Sequence, residues 1–144
     1  MLDGRFEGKS FVLPIRIYFE DTDLSGIVYH ANYLRFMERA RTEYFRAFGG
    51  TQTNLSQQAE PIAWALRKLS IEYLRPARID DVVEVHTLAR ALTGARLTAD
   101  QTIFCQGDVL TRGTVEACLI TLNGKPRRIP AELREKFQPF LSET

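Results

Sequence analysis

The feature that most constrains this chain is a stripe of apolar, mostly aromatic side chains between positions 33 and 48. Its members recur at three- and four-residue steps: Tyr33, Phe36, Met37, Ala40, Tyr44, Phe45 and Phe48. Charged residues fill the opposite side, which is typical of an amphipathic helix with one wide buried face. Asn32 is a suitable N-cap, and Gly49-Gly50 can adopt the left-handed turn that ends a helix. The stripe predicts a long helix that another element has to cover.

Strand-like segments lie on both sides of this helix. The segment "SFVLPIRIYF" predicts a first strand, with Pro14 at a strand start or sheet edge. After a polar connection at 51–61, four more strands are predicted: Ile62 to Leu74, Val82 to Leu92, Ala95 to Cys105, and Val109 to Leu122. The breaks "RPARIDD", "TGA" and "QGD" are short, as expected between antiparallel neighbours. The segment "AELREKFQPF" predicts a terminal helix through the spacing of Leu133 and Phe137.

These elements predict one α+β domain over residues 1–144. With 144 residues and 44% hydrophobic character, the chain can bury a core without disulfides or metals. A helix with so many aromatic side chains is best covered if a sheet curls around it. We therefore expect a mostly antiparallel five-stranded sheet wrapped around a long central helix.

Charge, cysteine content and hydropathy indicate which kinds of binding partner and which cellular location to expect. Lysine plus arginine (19) nearly balance aspartate plus glutamate (18), so no global field favours nucleic acid or an anionic membrane, and a small molecule is the expected partner. Cys105 and Cys118 lack CxxC or Cys/His spacing, so we expect core side chains in a reducing cytoplasm and no metal site. No apolar run has the length of a signal peptide or a membrane span. The sequence predicts a soluble cytoplasmic protein.

The stretch "DTDLSGIVYHANY", ahead of the helix, is the candidate site. It contains Asp21, Asp23 and His30, one of only two histidines in the chain. Taken alone, an aspartate before a helix is more typical of a turn or cap than of catalysis. Gly26 predicts a tight turn or a close backbone approach to a substrate. The other histidine, His86, shares a strand face with Glu84 and is expected at the surface.

The order of elements resembles the hotdog fold, and "YFEDTDLSGIVYHANYLRFMERARTE" resembles the signature of the 4-hydroxybenzoyl-CoA thioesterase group. Within that group, "IRIYFEDTD", "GIVYHANY", "ERARTE" and "IEYLRPARIDD" are most similar to the Tol-Pal system-associated acyl-CoA thioesterases. The resemblance extends from Ile15 to about Leu122. It implies hydrolysis of an acyl-CoA, with CoA as part of the substrate and no bound cofactor. The absence of P-loop and Rossmann patterns agrees with this implication.

The resemblance also implies roles for individual residues. Asp23, the second aspartate of the DxD, is implied as the nucleophile or as the base that activates water. The backbone amide of His30 is implied as the donor to the thioester oxygen, a role that suits the unpaired N–H groups of a helix N-terminus. The His30 side chain either protonates the leaving thiolate or orients Asp23, and both remain open. Asp21 is expected to form an Asx-type turn.

Two glutamates on the helix need separate weighing, because some hotdog enzymes carry their catalytic carboxylate there. Glu38 is the reserve catalytic candidate. Glu43 is expected to pair with Arg39 at i,i+4 spacing. At position 19 this sequence has Phe19, where close relatives often have a second tyrosine, so any role of that hydroxyl is absent.

Assembly and alternative functions complete the expectations. An exposed edge strand favours a homodimer or homotetramer with active sites shared between subunits.

CoA phosphates require cations, and the candidates are scattered: Arg75, Arg78, Arg90, Arg96, Arg127 and Arg128. A non-enzymatic acyl-binding protein of envelope or lipid metabolism is the alternative function. A hotdog dehydratase is less consistent, because His-based proton chemistry leaves the DxD unexplained.

Overall fold

Six strands and two helices make up the fold, in a computed structural model that describes residues 3–49, 55, 57 and 60–142. The strands are β1 (Arg5–Glu7), β2 (Ser10–Arg16), β3 (Ile62–Tyr73), β4 (Val82–Thr93), β5 (Arg96–Cys105) and β6 (Asp108–Thr121). The helices are α1 (His30–Ala47) and α2 (Ala131–Phe137), and single 3-10 turns occupy Phe19–Asp21 and Gln138–Phe140. The four strands predicted after the helix begin and end within one residue of their observed bounds.

All six strands form one antiparallel sheet in the order β1-β2-β4-β5-β6-β3. The prediction of five strands was therefore one short. Strand β1 has only three residues, too few to show an alternating pattern, and it forms through a turn at Gly8 (φ 61°) that folds it onto β2. Because β1 pairs only with Ser10–Val12, Pro14 lies where that side of β2 has no partner among the described strands. The expected edge position of Pro14 is confirmed.

Helix α1 packs its aromatic stripe onto this sheet, mainly against β2 and β4. All seven residues of the predicted stripe are buried. At Gly113 of β6, a Cβ atom would lie 2.7 Å from Cε of Met37, so the absence of a side chain there lets helix and sheet approach closely. A long central helix against an antiparallel sheet confirms the predicted hotdog architecture.

The C-terminal half of α1 belongs to an aromatic cluster that also includes α2. The Phe137 ring is stacked on Tyr44 with centroids 5.9 Å apart, and its centroid lies 4.8 Å from that of Phe48. Phe45 stacks on Trp64 of β3 at 4.6 Å. Both predicted contacts of the terminal helix, Leu133 and Phe137, are buried. Aromatic packing of this kind contributes burial and ring–ring interaction together.

The N-terminal end of α1 differs from the prediction, whereas its C-terminal end agrees with it. The helix begins at His30 with Tyr29 as N-cap, so the prediction of Asn32 as the cap was wrong. Asn32 is buried inside the first turn, where its amide has another role described below. Gly49 has φ 76° and its N–H donates to the carbonyl of Arg46, which confirms the glycine turn at that residue. Gly50 and most of the 51–61 connection lie outside the described residues.

Three smaller expectations were tested by side-chain contacts. Glu43 accepts from Arg46 at 3.4 Å rather than from Arg39, so its pairing is i,i+3. His86 is half-buried rather than at the surface, because its ring packs 4.5 Å from the Phe104 ring and its Nε2 lies 3.3 Å from Glu84. Both cysteines are free thiols, Cys118 buried and Cys105 half-buried against the core. Across the described residues there is no His/Cys/Asp/Glu cluster suited to a metal ion.

Neither helix resolved in the described ranges combines the length and the apolar character needed to cross a membrane.

Candidate active site

The polar stretch before α1 forms a small hairpin that carries Asp23. Thr22 and Val28 pair as an antiparallel bridge, and the N–H of Asp23 donates to the carbonyl of Ile27 at 2.9 Å. The N–H of Gly26 donates to the carbonyl of Asp23 at 3.0 Å, and Gly26 has φ 82°. The left-handed conformation favours glycine, so the tight turn predicted for Gly26 is confirmed.

The Asp23 carboxylate is exposed and held by its own loop. Its Oδ1 accepts hydrogen bonds from the backbone N–H of Ser25 at 2.9 Å and from the Ser25 hydroxyl at 2.5 Å. These bonds, the hydroxyl first, stabilise the charged form and lower the pKa of Asp23 below its usual value. Asp23 is therefore ionised at neutral pH and points in a defined direction.

Asp21 has a structural role, but not the one predicted. Its Oδ2 accepts from the N–H of Tyr18 at 2.8 Å, which closes the 3-10 turn before the hairpin. The Asx-type turn expected at Asp21 is instead made by Asp23 with Ser25, because only that side chain reaches the N–H two residues later. The Asp21 carbonyl accepts from the N–H of Tyr29 and from the Asn32 amide, both at 2.9 Å. Asp21 thus joins the hairpin to the first turn of α1.

His30 is the first residue of α1, at the end of the helix nearest the hairpin. Its backbone N–H has no acceptor among the described residues, as expected at a helix start without a side-chain cap. Its exposed ring lies 4.5 Å from the ring of Tyr29, and no hydrogen bond to Asp23 occurs in the described part of the chain. It lies close enough to Asp23 to add a smaller electrostatic contribution to the lowered pKa of that carboxyl, after the Ser25 hydrogen bonds.

Tyr73, at the end of β3, is a site residue that sequence reasoning missed. Its hydroxyl donates to the carbonyl of His30 at 3.0 Å, and its ring meets the His30 ring edge-on with centroids 6.2 Å apart. The two residues are 43 positions apart, so no local spacing indicated the contact. Nearby, the N–H of Ala77 donates to the Tyr33 hydroxyl, and the Ala77 carbonyl accepts from Val28, each at 2.9 Å. The β3–β4 connection therefore supports both the hairpin and the helix start.

The reserve carboxylate, Glu38, is not brought to the same place. It lies eight residues after His30, about 12 Å along the helix at 1.5 Å per residue. Its exposed side chain lines two clefts of about 330 and 870 Å³ on either side of α1. Glu38 therefore lies beside the middle of α1, at clefts one of which Asp21 also lines.

The six arginines considered for CoA phosphates are spread over the molecule, and Arg75 and Arg78 lie on the connection between β3 and β4. Arg78 pairs through its backbone with Ile27. Arg75 lies 3.4 Å from Asp108. Among the others, Arg90 pairs with Asp100, Arg96 with Glu116 and Arg127 with Glu60.

The hotdog fold, with an exposed carboxylate beside a helix N-terminus, is consistent with a thioesterase, and comparison with known proteins shows that class. Residues 25–111 match the family model of the thioesterase superfamily. The acyl-CoA thioesterase YbgC of Haemophilus influenzae is 38% identical over 130 residues, which cover 90% of this chain and 95% of that protein. The acyl-CoA thioester hydrolase YbgC of Escherichia coli O6:H1 is 38% identical over 135 residues, 89% of this chain and 96% of that protein.

Solved structures agree. A probable thioesterase from Bartonella henselae is 40% identical, with a TM-score of 0.80 over 83% of this chain and 98% of that chain. A 1,4-dihydroxy-2-naphthoyl-CoA thioesterase from Synechocystis shares the fold with a TM-score of 0.82 at 21% identity, over 90% of this chain and 96% of that chain. The chain belongs to the thioesterase superfamily.

Proposed function

We propose that the protein is an acyl-CoA thioesterase, which hydrolyses the thioester bond to release a free acid and CoA. The relatives that are 38% identical over most of both chains carry that activity in their names. The observation that carries the proposal is that two groups lie at one loop–helix junction. These are the ionised Asp23 carboxylate and the backbone N–H of His30, which has no acceptor among the described residues.

Each group supplies one requirement of the reaction. The carbonyl carbon of a thioester needs an oxygen nucleophile, and its oxygen needs a donor as negative charge develops. In this proposal the thioester oxygen accepts from the N–H of His30, where the helix dipole favours negative charge. Asp23 either attacks the carbonyl and forms an anhydride that water then cleaves, or takes a proton from the attacking water. In both routes the C–S bond breaks and the thiolate of CoA leaves.

A second subunit is part of this proposal. Asp23 and His30 are both exposed in the single chain, whereas catalysis is favoured in a site from which water is excluded. Strand β3, which ends at Tyr73, pairs only with β6 among the described strands, so its outer edge is free to pair with a symmetry mate. We therefore expect a homodimer or homotetramer in which the neighbour covers the Asp23 hairpin.

Arg78 and Arg75 are the proposed contacts for CoA phosphates, since they lie on the connection that pairs with the hairpin. The resemblance to Tol-Pal-associated enzymes of the 4-hydroxybenzoyl-CoA group supports a cytoplasmic acyl-CoA hydrolase. A hydrolysis screen over short, medium, long and aromatic acyl-CoAs tests this class of substrate. Saturable binding without turnover across the whole panel favours a non-enzymatic acyl-binding protein instead.

The residue assignment is tested by comparing Asp23→Asn with His30→Ala. Asp23→Asn keeps the side-chain shape and removes the charge, and positioned base catalysis contributes about 10²–10⁴-fold, so kcat should fall by that range while acyl-CoA still binds. His30→Ala removes the imidazole but keeps the backbone N–H, whose contribution as an oxyanion donor is commonly about 10²–10³-fold. Its loss in kcat should be smaller.

Circular dichroism and light scattering must show that both variants keep the wild-type fold and assembly. If folded His30→Ala is as inactive as Asp23→Asn, the imidazole is an essential acid or base and the backbone-only role of His30 is wrong. If Asp23→Asn remains active, Glu38 becomes the leading carboxylate.

A further inference from the structure

One buried polar side chain in the first turn of α1 has no part in the proposed chemistry. Asn32 is the third residue of the helix and is only 8% exposed. Asparagine is one of the weaker helix formers, because its side chain competes for backbone hydrogen bonds. A buried side-chain amide also needs hydrogen-bond partners. A contact outside the helix therefore has to offset the cost of burying Asn32 there.

That contact is with the base of the hairpin that carries Asp23. Nδ2 of Asn32 donates to the backbone carbonyl of Asp21 at 2.9 Å, across eleven positions of the sequence. The same carbonyl accepts from the N–H of Tyr29, also at 2.9 Å. A carbonyl oxygen has two lone pairs, and both have a donor here. The Asp21 backbone is therefore fixed by two hydrogen bonds to the start of the helix.

The two ends of the Asn32–Asp21 bond lie next to the two groups of the proposed reaction. Asp23 follows Asp21 by two residues, and its N–H donates to the carbonyl of Ile27 at 2.9 Å, which closes the hairpin. His30 precedes Asn32 by two residues in the same helical turn. The Asn32–Asp21 bond therefore joins the segment that carries the carboxylate to the segment that carries the oxyanion donor.

The other hydrogen bonds at this junction do not make the same connection through a side chain. Tyr73 donates to the carbonyl of His30 at 3.0 Å, which holds the start of the helix to β3. The bond from Tyr29 comes from the backbone, so no change of its side chain removes it. Among the described residues, Asn32 is thus the side chain that ties the helix start directly to the hairpin.

We propose that Asn32 is a positioning residue, whose amide fixes the spacing between the Asp23 carboxylate and the backbone N–H of His30. This role rests on the proposed function of those two groups, and Asn32 itself does not touch the substrate. The attacking oxygen and the oxyanion donor have to be held in one geometry, and a displacement of about 1 Å costs up to about 10²-fold in rate. Loss of the amide should therefore lower kcat with little effect on acyl-CoA binding.

Steady-state kinetics on two substitutions of Asn32 test the proposal. Asn32→Ala removes the amide, and kcat for the acyl-CoA hydrolysed best by wild type should fall by about tenfold or more, with KM within about twofold. Asn32→Ser keeps a donor on a shorter side chain, so it should retain more of the wild-type kcat than Asn32→Ala.

Thr87→Val is the matched control for a loss of stability alone. The Thr87 hydroxyl is buried and accepts from Gln101 at 3.0 Å, and Gln101 also donates to the carbonyl of Met37 in the middle of α1. The substitution removes one buried hydrogen bond away from the hairpin. It should lower the melting temperature about as much as Asn32→Ala does, while kcat stays within about twofold of wild type.

Amide hydrogen exchange, measured by NMR, tests the same role without turnover. Without the Asn32 amide the junction should open more often, so the N–H groups of Tyr29 and Asp23 should exchange about tenfold faster in Asn32→Ala. Thr87→Val should leave both rates within about twofold of wild type. If wild type hydrolyses no acyl-CoA, the proposed function fails, and the exchange rates alone decide whether Asn32 holds the hairpin against the helix.

Two kinetic results overturn the proposal: a folded Asn32→Ala with kcat within about twofold of wild type, or a Thr87→Val that loses as much kcat as Asn32→Ala. Unchanged exchange at Tyr29 and Asp23 in Asn32→Ala also overturns it, whatever the change in kcat. A loss of kcat without faster exchange would mean that Asn32 acts on the substrate directly.

Discussion

The two ends of helix α1 are held by different interactions. At the N-terminal end, hydrogen bonds from Asn32 and Tyr73 fix the backbone around His30, while the side chains of Asp23 and His30 remain exposed. At the C-terminal end, Tyr44 and the rings around it are packed in the aromatic cluster and have almost no exposure. Directional bonds to the backbone position a site without covering it, whereas packing contributes stability through burial. The candidate site and the aromatic cluster thus lie at opposite ends of one helix.

The largest expected effect is on the C-terminal end of α1, which is held by aromatic packing. Phe137→Ala removes a fully buried ring that contacts Tyr44, Phe45 and Phe48, and such truncations cost about 3–5 kcal/mol of unfolding free energy. Urea denaturation measures this loss. Well below the melting temperature, kcat should stay within about twofold of wild type, because the N-terminal end has its own hydrogen bonds. A large loss of kcat in the folded variant would show that the two ends are coupled.

A smaller effect tests the hydrogen-bonded end. Tyr73→Phe removes the donor to the His30 carbonyl, a bond with a net contribution of about 1 kcal/mol, and should lower kcat by about fivefold with little change in KM. Tyr29→Phe is the matched control, because its hydroxyl donates to no described residue although its ring also lies against His30. If both variants lose the same activity, or if Tyr73→Phe instead lowers the melting temperature by many degrees, the proposed positioning role of Tyr73 is wrong.

A gain in stability of a similar free energy is expected at the C-terminal, aromatic end of α1. The Tyr44 hydroxyl is buried without a hydrogen-bond partner among the described residues, and burial raises the pKa of Tyr44. Tyr44→Phe removes this unpaired polar group, so the protein should become more stable by about 1 kcal/mol, with unchanged kinetics. Thermal unfolding measures the gain. A loss of stability would indicate that the hydroxyl has a partner in the assembled protein.

The smallest expected effect is a shift in pH dependence. The Ser25 hydrogen bonds stabilise the charged carboxylate, so the pKa of Asp23 is lowered and the acid limb of kcat/KM should lie below that of an ordinary aspartate. Ser25→Ala removes the hydroxyl bond but keeps the backbone N–H bond, so this limb should move to higher pH while activity at neutral pH is nearly unchanged. An unmoved acid limb would mean that a group other than Asp23 controls it.

Much of the local structure at the two ends of α1 was predictable from the sequence. All seven residues of the aromatic stripe are buried, as predicted, and the four long strands were predicted within one residue of their observed bounds. Both predictions succeeded because periodicity and turn residues are local properties. Gly26 and Gly49 were identified for the same reason, since a left-handed turn depends mainly on the residue that adopts it. The position of Asp23 in a loop before the helix also followed from its neighbours.

Contacts between distant segments were not predictable. The helix starts at His30 rather than after Asn32 because the Asp21 carbonyl, presented by a hairpin, accepts from Tyr29 and from the Asn32 amide.

The sequence by itself determined the four long strands, the face of α1 that is buried and the loop that carries the carboxylate. Only the tertiary structure decided that Tyr73 supports His30 and that Gln101 fixes the direction of the Arg41 guanidinium. Hydrogen bonds depend on distances and angles between atoms, and the Tyr73 and Arg41 bonds join residues 43 and 60 positions apart. Residue type and local spacing carry no information about such geometry, so these contacts exist only once the sheet has formed against the helix.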